Sequence, residues 1–277
     1  MNLKVIVPTI AIITAAGLGA WYYSANNSDQ QVSESKDAEL IDVPEIVEPP
    51  APKNMIQRTA EPINEEPTSE VTEEAEPELP PLPEIPKNLM ESDTGFTEAA
   101  KNLSAKLAAW MTPDHQIRKW VFVIDNIADN KFPVQNQPLD YKIEPFKVQG
   151  SEGDETFYVS KENFNRADAL INSITSIPAN ELVRYYQHWL PLLNNAYDEL
   201  GRGDSFEGRL LQAIDNILAI EPLTEQAALK RPSVFYVYAD KDLEKADKLS
   251  KLFWRLGPDN TKKVQAYLRT LEPLINQ

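Results

Sequence analysis

From Phe96 onward, apolar side chains recur at intervals of three and four, the spacing that lines them up along one stripe of an α-helix. The stripes predict helices over 96–111, 114–130, 161–175, 179–200, 205–220, 241–256 and 259–275. Along 179–200, Leu182, Tyr186, Trp189, Leu193, Ala196 and Leu200 form one continuous face. Gly201 supplies the stop, and Pro191 predicts a kink. Asp240 is placed to cap a helix with Asp242 and Glu244 in its first turn and Lys248, Lys251 and Arg255 further on. That order complements the helix dipole, and Gly257-Pro258 ends the segment. The stretches "YKIEPFKVQG" and "ETFYVS", around Gly150 and Gly153, predict a hairpin, and "SVFYVYA", residues 233–239, a third strand. The expected class is mostly α (α+β), a multi-helix domain with a small antiparallel sheet.

The chain opens on a different pattern. Residues 5–23, "VIVPTIAIITAAGLGAWYY", carry no charged side chain. At about 1.5 Å per helical residue they cover most of a hydrocarbon core roughly 30 Å thick, with Trp21-Tyr22-Tyr23 at the headgroup level. Pro8 falls in the first turns, where a missing N–H costs least. A cleaved signal peptide competes with this reading, but only Gly17-Leu18-Gly19 offers small residues at the required spacing, so an uncleaved anchor is expected. Lys4 precedes the span, and the next cation, Lys36, follows Asp29 and Glu34. The positive-inside rule then gives a cytoplasmic tail at 1–4, a transmembrane anchor in the lipid bilayer at 5–23, and the rest of the chain in the periplasm of a bacterial inner membrane.

Composition divides the remainder of the chain in two. Residues 24–95 hold 18 Asp/Glu against 4 Lys/Arg and repeat proline and glutamate, as in "EEPTSEVTEEAEPELPPLPEIP". Such a segment is expected to be a disordered, extended Pro/Glu-rich linker, because it has too little apolar surface to bury. Most of the net charge of −16 therefore belongs to the linker. Residues 96–277, with 25 acids and 22 bases, form a nearly neutral domain for which nucleic acid is an improbable partner. Cysteine is absent, which removes disulfides, thiol nucleophiles and cysteine-ligated metals.

Few patterns point to chemistry. The two histidines, His115 and His188, sit in no metal-ligand spacing, so no metal site is expected. No nucleophile elbow, phosphate loop or dinucleotide fingerprint occurs, and no cofactor is expected. Ile-Asp-Asn-Ile appears twice, at 124–127 and 214–217, which raises Asp125 and Asp215 as a candidate carboxylate pair. Both fall at the edge of a helical stripe, with Asn126 and Asn216 pointing further from it. Asp125 belongs to the more apolar helix, which should be buried all round, and so needs a partner. Arg166, in "ENFNRADALI" beside Asp168, is the first choice for pinning it. "GRGD", residues 201–204, reads as Gly201 C-cap, Arg202-Gly203 turn and Asp204 N-cap. The candidate polar cluster is thus Asp125, Arg166, Asp168 and Asp240.

The segments "VFVIDNIA", "NFNRADALI", "YYQHWLPLLNNAYDELG", "LQAIDNILAIEP" and "VYADKDLEKADKLSKLFWRLGPDNTKKVQAYLRTL", in this order, resemble the bacterial domain of unknown function 3014 family over nearly all of 96–277. Ala239 to Glu244 and Arg255 to Asn260 are the more specific stretches. Ala167 stands where a tyrosine is expected, and Leu256 where methionine is usual. The membrane anchor with an acidic linker after it is also similar to that family. The resemblance implies an envelope location and no mechanism. Two functions remain open. The first is an anchored envelope protein whose tethered domain, carried up to roughly 200 Å from the bilayer at ~3.1 Å per residue, binds a partner protein or cell-wall component without catalysis. The second is a tethered hydrolase or small-ligand-binding protein, which requires at least three of the four polar candidates to line one pocket.

Overall fold

The computed structural model describes residues 81–150, 153, 155–223 and 226–275. The expected span at 5–23 and residues 24–80 of the expected linker lie outside these residues. Among the described residues no helix is long and apolar enough to cross a membrane.

The folded unit starts at Leu82, fourteen residues before the boundary expected from composition. Leu82 and Ile85 pack on the core, Leu89 is buried in a short 3₁₀ turn, Leu89–Glu91, and helix α1 begins at Ser92. The Pro/Glu pattern continues to Pro86 and hides these anchors, which occupy too few positions to form a stripe.

In chain order the elements are α1 (Ser92–Leu103), α2 (Ala105–Ala109), α3 (Gln116–Ala128), β1 (Val148–Gln149), β2 (Phe157–Val159), a 3₁₀ turn (Lys161–Asn165), α4 (Asp168–Thr175) and α5 (Ala179–Asp198). They continue with α6 (Phe206–Leu218), β3 (Ala228–Lys230), β4 (Val237–Tyr238), α7 (Lys241–Lys245), α8 (Lys248–Leu256) and α9 (Pro258–Ile275). The class is therefore mostly helical with a small antiparallel sheet.

Three expected helices are interrupted, each where a local hydrogen bond competes with the helix. Ser104 takes an extended conformation between α1 and α2, and its hydroxyl accepts from the Leu107 N–H. Asp247 breaks 241–256 by capping α8 through the Ser250 N–H. Ser160 starts a 3₁₀ turn ahead of α4 by accepting from Glu162. Short polar side chains favour such caps over helix interiors. By contrast, α5 runs from Ala179 to Asp198 with Pro191 inside it.

Among the described residues the sheet has four strands in the order β1-β2-β3-β4, all antiparallel. The hairpin around Gly150 and Gly153 forms as expected, whereas residues 233–236 are the tip of a second hairpin. Only Val237 and Tyr238 of the expected third strand pair, with Lys230 and Leu229. Pro232, which lacks an N–H, starts the turn between them. Phe157, Val159, Leu229 and Tyr238 are buried on the inner face, and Tyr238 meets Trp254 of α8 edge to face, with ring centroids 5.8 Å apart.

At the centre lies α3, buried on nearly every side, with Val121, Val123 and Ile127 at zero exposure. It packs chiefly on α6 and α5, and α9 covers α5, α4, α6 and α8. A helix that is apolar all round must be enclosed, so the neighbours of α3 define the core. Trp189, Tyr186 and Phe206 of the flanking α5 and α6 are fully buried, as is Phe253 of α8, and an apolar side chain such as Phe206 gains about 1.5–3 kcal/mol on burial.

Candidate functional site

The buried carboxylate of Asp125 organises the polar centre of the domain. Its side chain is only 6% exposed on the central helix and is met by two guanidinium groups from the α5–α6 connection and from α6. Arg209 Nε donates to Asp125 Oδ1 at 2.9 Å, and its Nη2 donates to the Asp125 carbonyl and to Asp129 Oδ1, both at 2.7 Å. Arg202 Nη2 donates to Asp125 Oδ2 at 2.6 Å and reaches Asp129 Oδ2 at 3.4 Å. Two carboxylates thus face two guanidiniums, and the bonds from Arg209 hold Asp129 below the usual carboxylate range against the opposing effect of burial.

Arg166 is not the partner of Asp125. It ends the 3₁₀ turn, where its Nε and Nη1 donate to the carbonyls of Asn163 and Glu144, and its guanidinium lies 5.5 Å from the centre of the Phe146 ring. Burial, with the charge of Arg255 nearby, lowers its pKa to about 10. Sequence spacing gave no way to choose among arginines. Arg209 faces Asp125 because α3 and α6 lie side by side, a tertiary fact, and Arg202 read simply as part of a turn.

The "GRGD" turn changes role in the structure. Gly201 does take the left-handed conformation that ends many helices, with φ of 68°. The N-cap of α6, however, is Ser205, whose hydroxyl accepts from the Gly208 N–H at 3.1 Å. Asp204 instead accepts from the Tyr197 hydroxyl. That hydroxyl is driven well above its ordinary pKa, first by burial and then by the Asp204 carboxylate.

The repeated Ile-Asp-Asn-Ile resolves into two unequal copies. Asp215 is exposed, as a helix-flank residue should be. Asn216 does not point away: its Nδ2 donates to the carbonyls of Ile127 at 3.0 Å and Ala128 at 2.9 Å, capping the C-terminal end of α3. Asn126 donates within its own helix to Phe122. The two acids of the repeat form no carboxylate pair.

Asp168 and Asp240 are each held by their own neighbours. Asn260 Nδ2 donates to Asp168 Oδ1 at 2.8 Å and to the Phe164 carbonyl at 2.7 Å, tying α9 to the start of α4. Gly257, with φ of 85°, lies against the Phe164 ring, where an added Cβ would fall 2.5 Å from Cγ. "NFNRAD" and "RLGPDN", two stretches that carry the family resemblance, therefore meet each other. Asp240 caps α7 as expected, accepting from the N–H groups of Asp242 and Leu243 at 2.7 and 3.0 Å. In the same stretch, Glu244 accepts from the Tyr238 N–H at 2.9 Å and from Lys251 at 2.8 Å.

The four candidates thus have four different sets of partners. None of them lines the apolar cleft bounded by Phe96, Leu103, Leu107, Trp120 and Trp189. Among the described residues no group of three or more potential ligands is placed to hold a metal. Residues 116–272 match the family model described as a protein of unknown function, DUF3014. No curated protein and no solved structure matches the chain.

Proposed function

Given that the chain belongs to the DUF3014 family of proteins of unknown function, we propose that it is a single-pass protein of a bacterial inner membrane that presents its helical domain in the periplasm to a partner protein or cell-wall component, without catalysing a reaction. The reading rests on the order of parts: an uncharged run at 5–23, an acidic Pro/Glu segment, and a folded unit that starts at Leu82. Residues 24–81 in extended form reach roughly 180 Å at ~3.1 Å per residue, enough to carry the domain far from the bilayer surface. The polar geometry supports the non-catalytic part of the proposal. Asp125, Arg166, Asp168 and Asp240 hold helices and caps together, and general acid/base work needs a group left able to reach a reactant.

The test is proteolysis of spheroplasts expressing the full chain with a C-terminal epitope. The expected result is loss of the epitope to external protease, while the untreated chain sediments with inner membranes and resists alkaline extraction. An epitope protected in intact spheroplasts, or a chain released by alkaline extraction, refutes the topology. Shortening residues 44–80 with the domain kept intact is expected to abolish the cellular role, and an unchanged phenotype removes the reason for the tether.

A further inference from the structure

Residues 82–91 form a strap that leads into α1, and its first half is an extended segment docked on the domain. Leu82-Pro83-Glu84-Ile85-Pro86-Lys87 contains neither helix nor strand, and its exposure repeats every three residues. Leu82, Pro83, Ile85 and Pro86 are half-buried, whereas Glu84 and Lys87 face solvent. A period of three is that of polyproline II, which has three residues per turn and leaves its carbonyls without internal partners. Leu82 and Ile85, three apart, therefore share the edge that packs on the core.

The surface beneath has the parts that such a chain needs. The Pro83 carbonyl lies 2.6 Å from His188 Nε2 on α5, and because a carbonyl only accepts, that nitrogen carries the proton. The His188 ring meets the fully buried Trp189 edge to face, with centroids 6.1 Å apart, which makes an aromatic wall. Gly95 of α1 gives the strap room: a Cβ there would fall 3.5 Å from the Glu84 carbonyl oxygen and 3.2 Å from Trp189 Cη2. Aromatic-lined grooves commonly receive proline-rich segments, whose preformed shape costs little entropy to bind.

The chain contains this ligand a second time. Val43-Pro44-Glu45-Ile46 repeats Leu82-Pro83-Glu84-Ile85 with one aliphatic residue exchanged for another. No other Pro-Glu pair in the sequence has an aliphatic residue before it and isoleucine after it. Residues 43–46 lie outside the described residues, and in the sequence Val43 and Ile46 keep the spacing of three that Leu82 and Ile85 have.

We propose that the groove at Gly95 and His188 is a receptor for an aliphatic-Pro-Glu-Ile segment, that the strap fills it in the single chain, and that residues 43–46 of a second copy take the strap's place to link two chains. The strap holds the groove through its covalent connection, equivalent to a ligand at about millimolar concentration, so a free segment competes at such concentrations or once the strap is weakened. The inference goes beyond the reading above, because it names a second copy as partner and does not depend on the membrane anchor.

The experiment uses the full chain in lipid nanodiscs with Val43→Ala/Ile46→Ala, so that an added fluorescein-labelled peptide of residues 40–49 is the only source of that motif. Binding is read by fluorescence anisotropy with and without Leu82→Ala/Ile85→Ala, which unseats the strap. The expected result is saturable binding to the unseated chain and at least about tenfold weaker binding where the strap is intact. A peptide with alanine in place of Val43 and Ile46 should bind at least about tenfold more weakly, since five apolar carbons lose half-buried contacts. His188→Ala should weaken the parent peptide, having lost the donor. No binding to an unseated chain of unchanged circular dichroism, equal binding of the two peptides, or equal binding with and without the strap substitutions each overturns the proposal. If the unseated chain fails to fold, the unaltered chain decides: the parent peptide at about millimolar concentration should speed trypsin cleavage after Lys87, and equal rates with the alanine peptide overturn the proposal. Differently tagged copies of the unseated chain with residues 43–46 intact should co-purify from detergent, and Val43→Ala/Ile46→Ala should abolish this; co-purification that survives the change overturns the second copy as partner. None of these readouts reports membrane topology, so the spheroplast experiment succeeds or fails separately.

Discussion

Arg209→Met is the sharpest test of the polar centre. The side chain is 13% exposed, so methionine keeps most of the packing of its aliphatic stem and loses three hydrogen bonds to Asp125 and Asp129. Bonds to charged partners contribute about 1.5–3 kcal/mol each in isolation. The full sum does not apply: Asp129 is 27% exposed, and Arg202 remains on Asp125 at 2.6 Å, so water and the second arginine recover part of the loss. A net cost of about 3 kcal/mol remains, chiefly from leaving the buried Asp125 half-compensated. For a domain of this size that corresponds to a fall in melting temperature of about 6–12 °C. Arg202→Ala, at a site 43% exposed, should barely move the transition. Thermal unfolding by circular dichroism of these two variants, of Asp125→Asn and of Asp125→Asn/Arg209→Met measures both effects and the coupling of Asp125 to Arg209. If Arg209→Met melts no lower than Arg202→Ala, the assignment of Arg209 as the main partner is wrong.

Other joints give further expectations. Gly257→Ala places a Cβ against Phe164 at a left-handed φ and should cost about 3 kcal/mol, read from urea unfolding; a neutral result would mean that the 3₁₀ turn moves freely. Asn216→Ala uncaps α3 and should cost about 1–2 kcal/mol, with the fastest new amide exchange at Asp129 to Lys131. Asp129, Asp204 and Glu199 all have folded-state pKa values below their ordinary ones, so each contributes stability above a pH of about 4 that is lost as pH falls through the folded value. The melting temperature should accordingly drop below pH ~4, and Asp129→Asn should flatten that limb of the curve. His188→Ala should loosen the strap, raising cleavage after Lys87 by trypsin while the melting temperature changes little.

The helical core was legible because its signal is local. Buried side chains recur at the right spacing in α3, α5, α6 and α9, and the bounds of these helices lie within two residues of the expected ones. Breaks at Ser104 and Asp247 went unread because a polar residue inside an apolar stripe is equally compatible with a cap and with an exposed helical position. The strap at 82–91 was missed because proline-rich composition dominates that window, although Leu82, Ile85 and Leu89 were there to be noticed. For the polar centre, the sequence singled out Asp125 and its need for a cation. Which cation required knowing that α6 runs beside α3. Of the residues most specific to the resemblance, Gly257, Asn260 and Glu244 join elements to one another and Asp240 caps α7, so they mark how the fold is locked.

Helix α3 receives its N-terminal cap from another helix. Asp93, in the first turn of α1, accepts from the N–H groups of His115 and Gln116, both at 2.7 Å, while Asp114 and His115 hold φ values of 58° and 56°. Two successive left-handed residues are unfavourable on their own, and no side chain from residues 112–115 caps the helix. The central helix of the core therefore has no autonomous start signal. Asp93 and the start of α1 must be in place for the first turn of α3 to be capped. A fragment cut at Phe96, the boundary that composition recommends, would remove that carboxylate and leave the innermost helix to fray from its first turn.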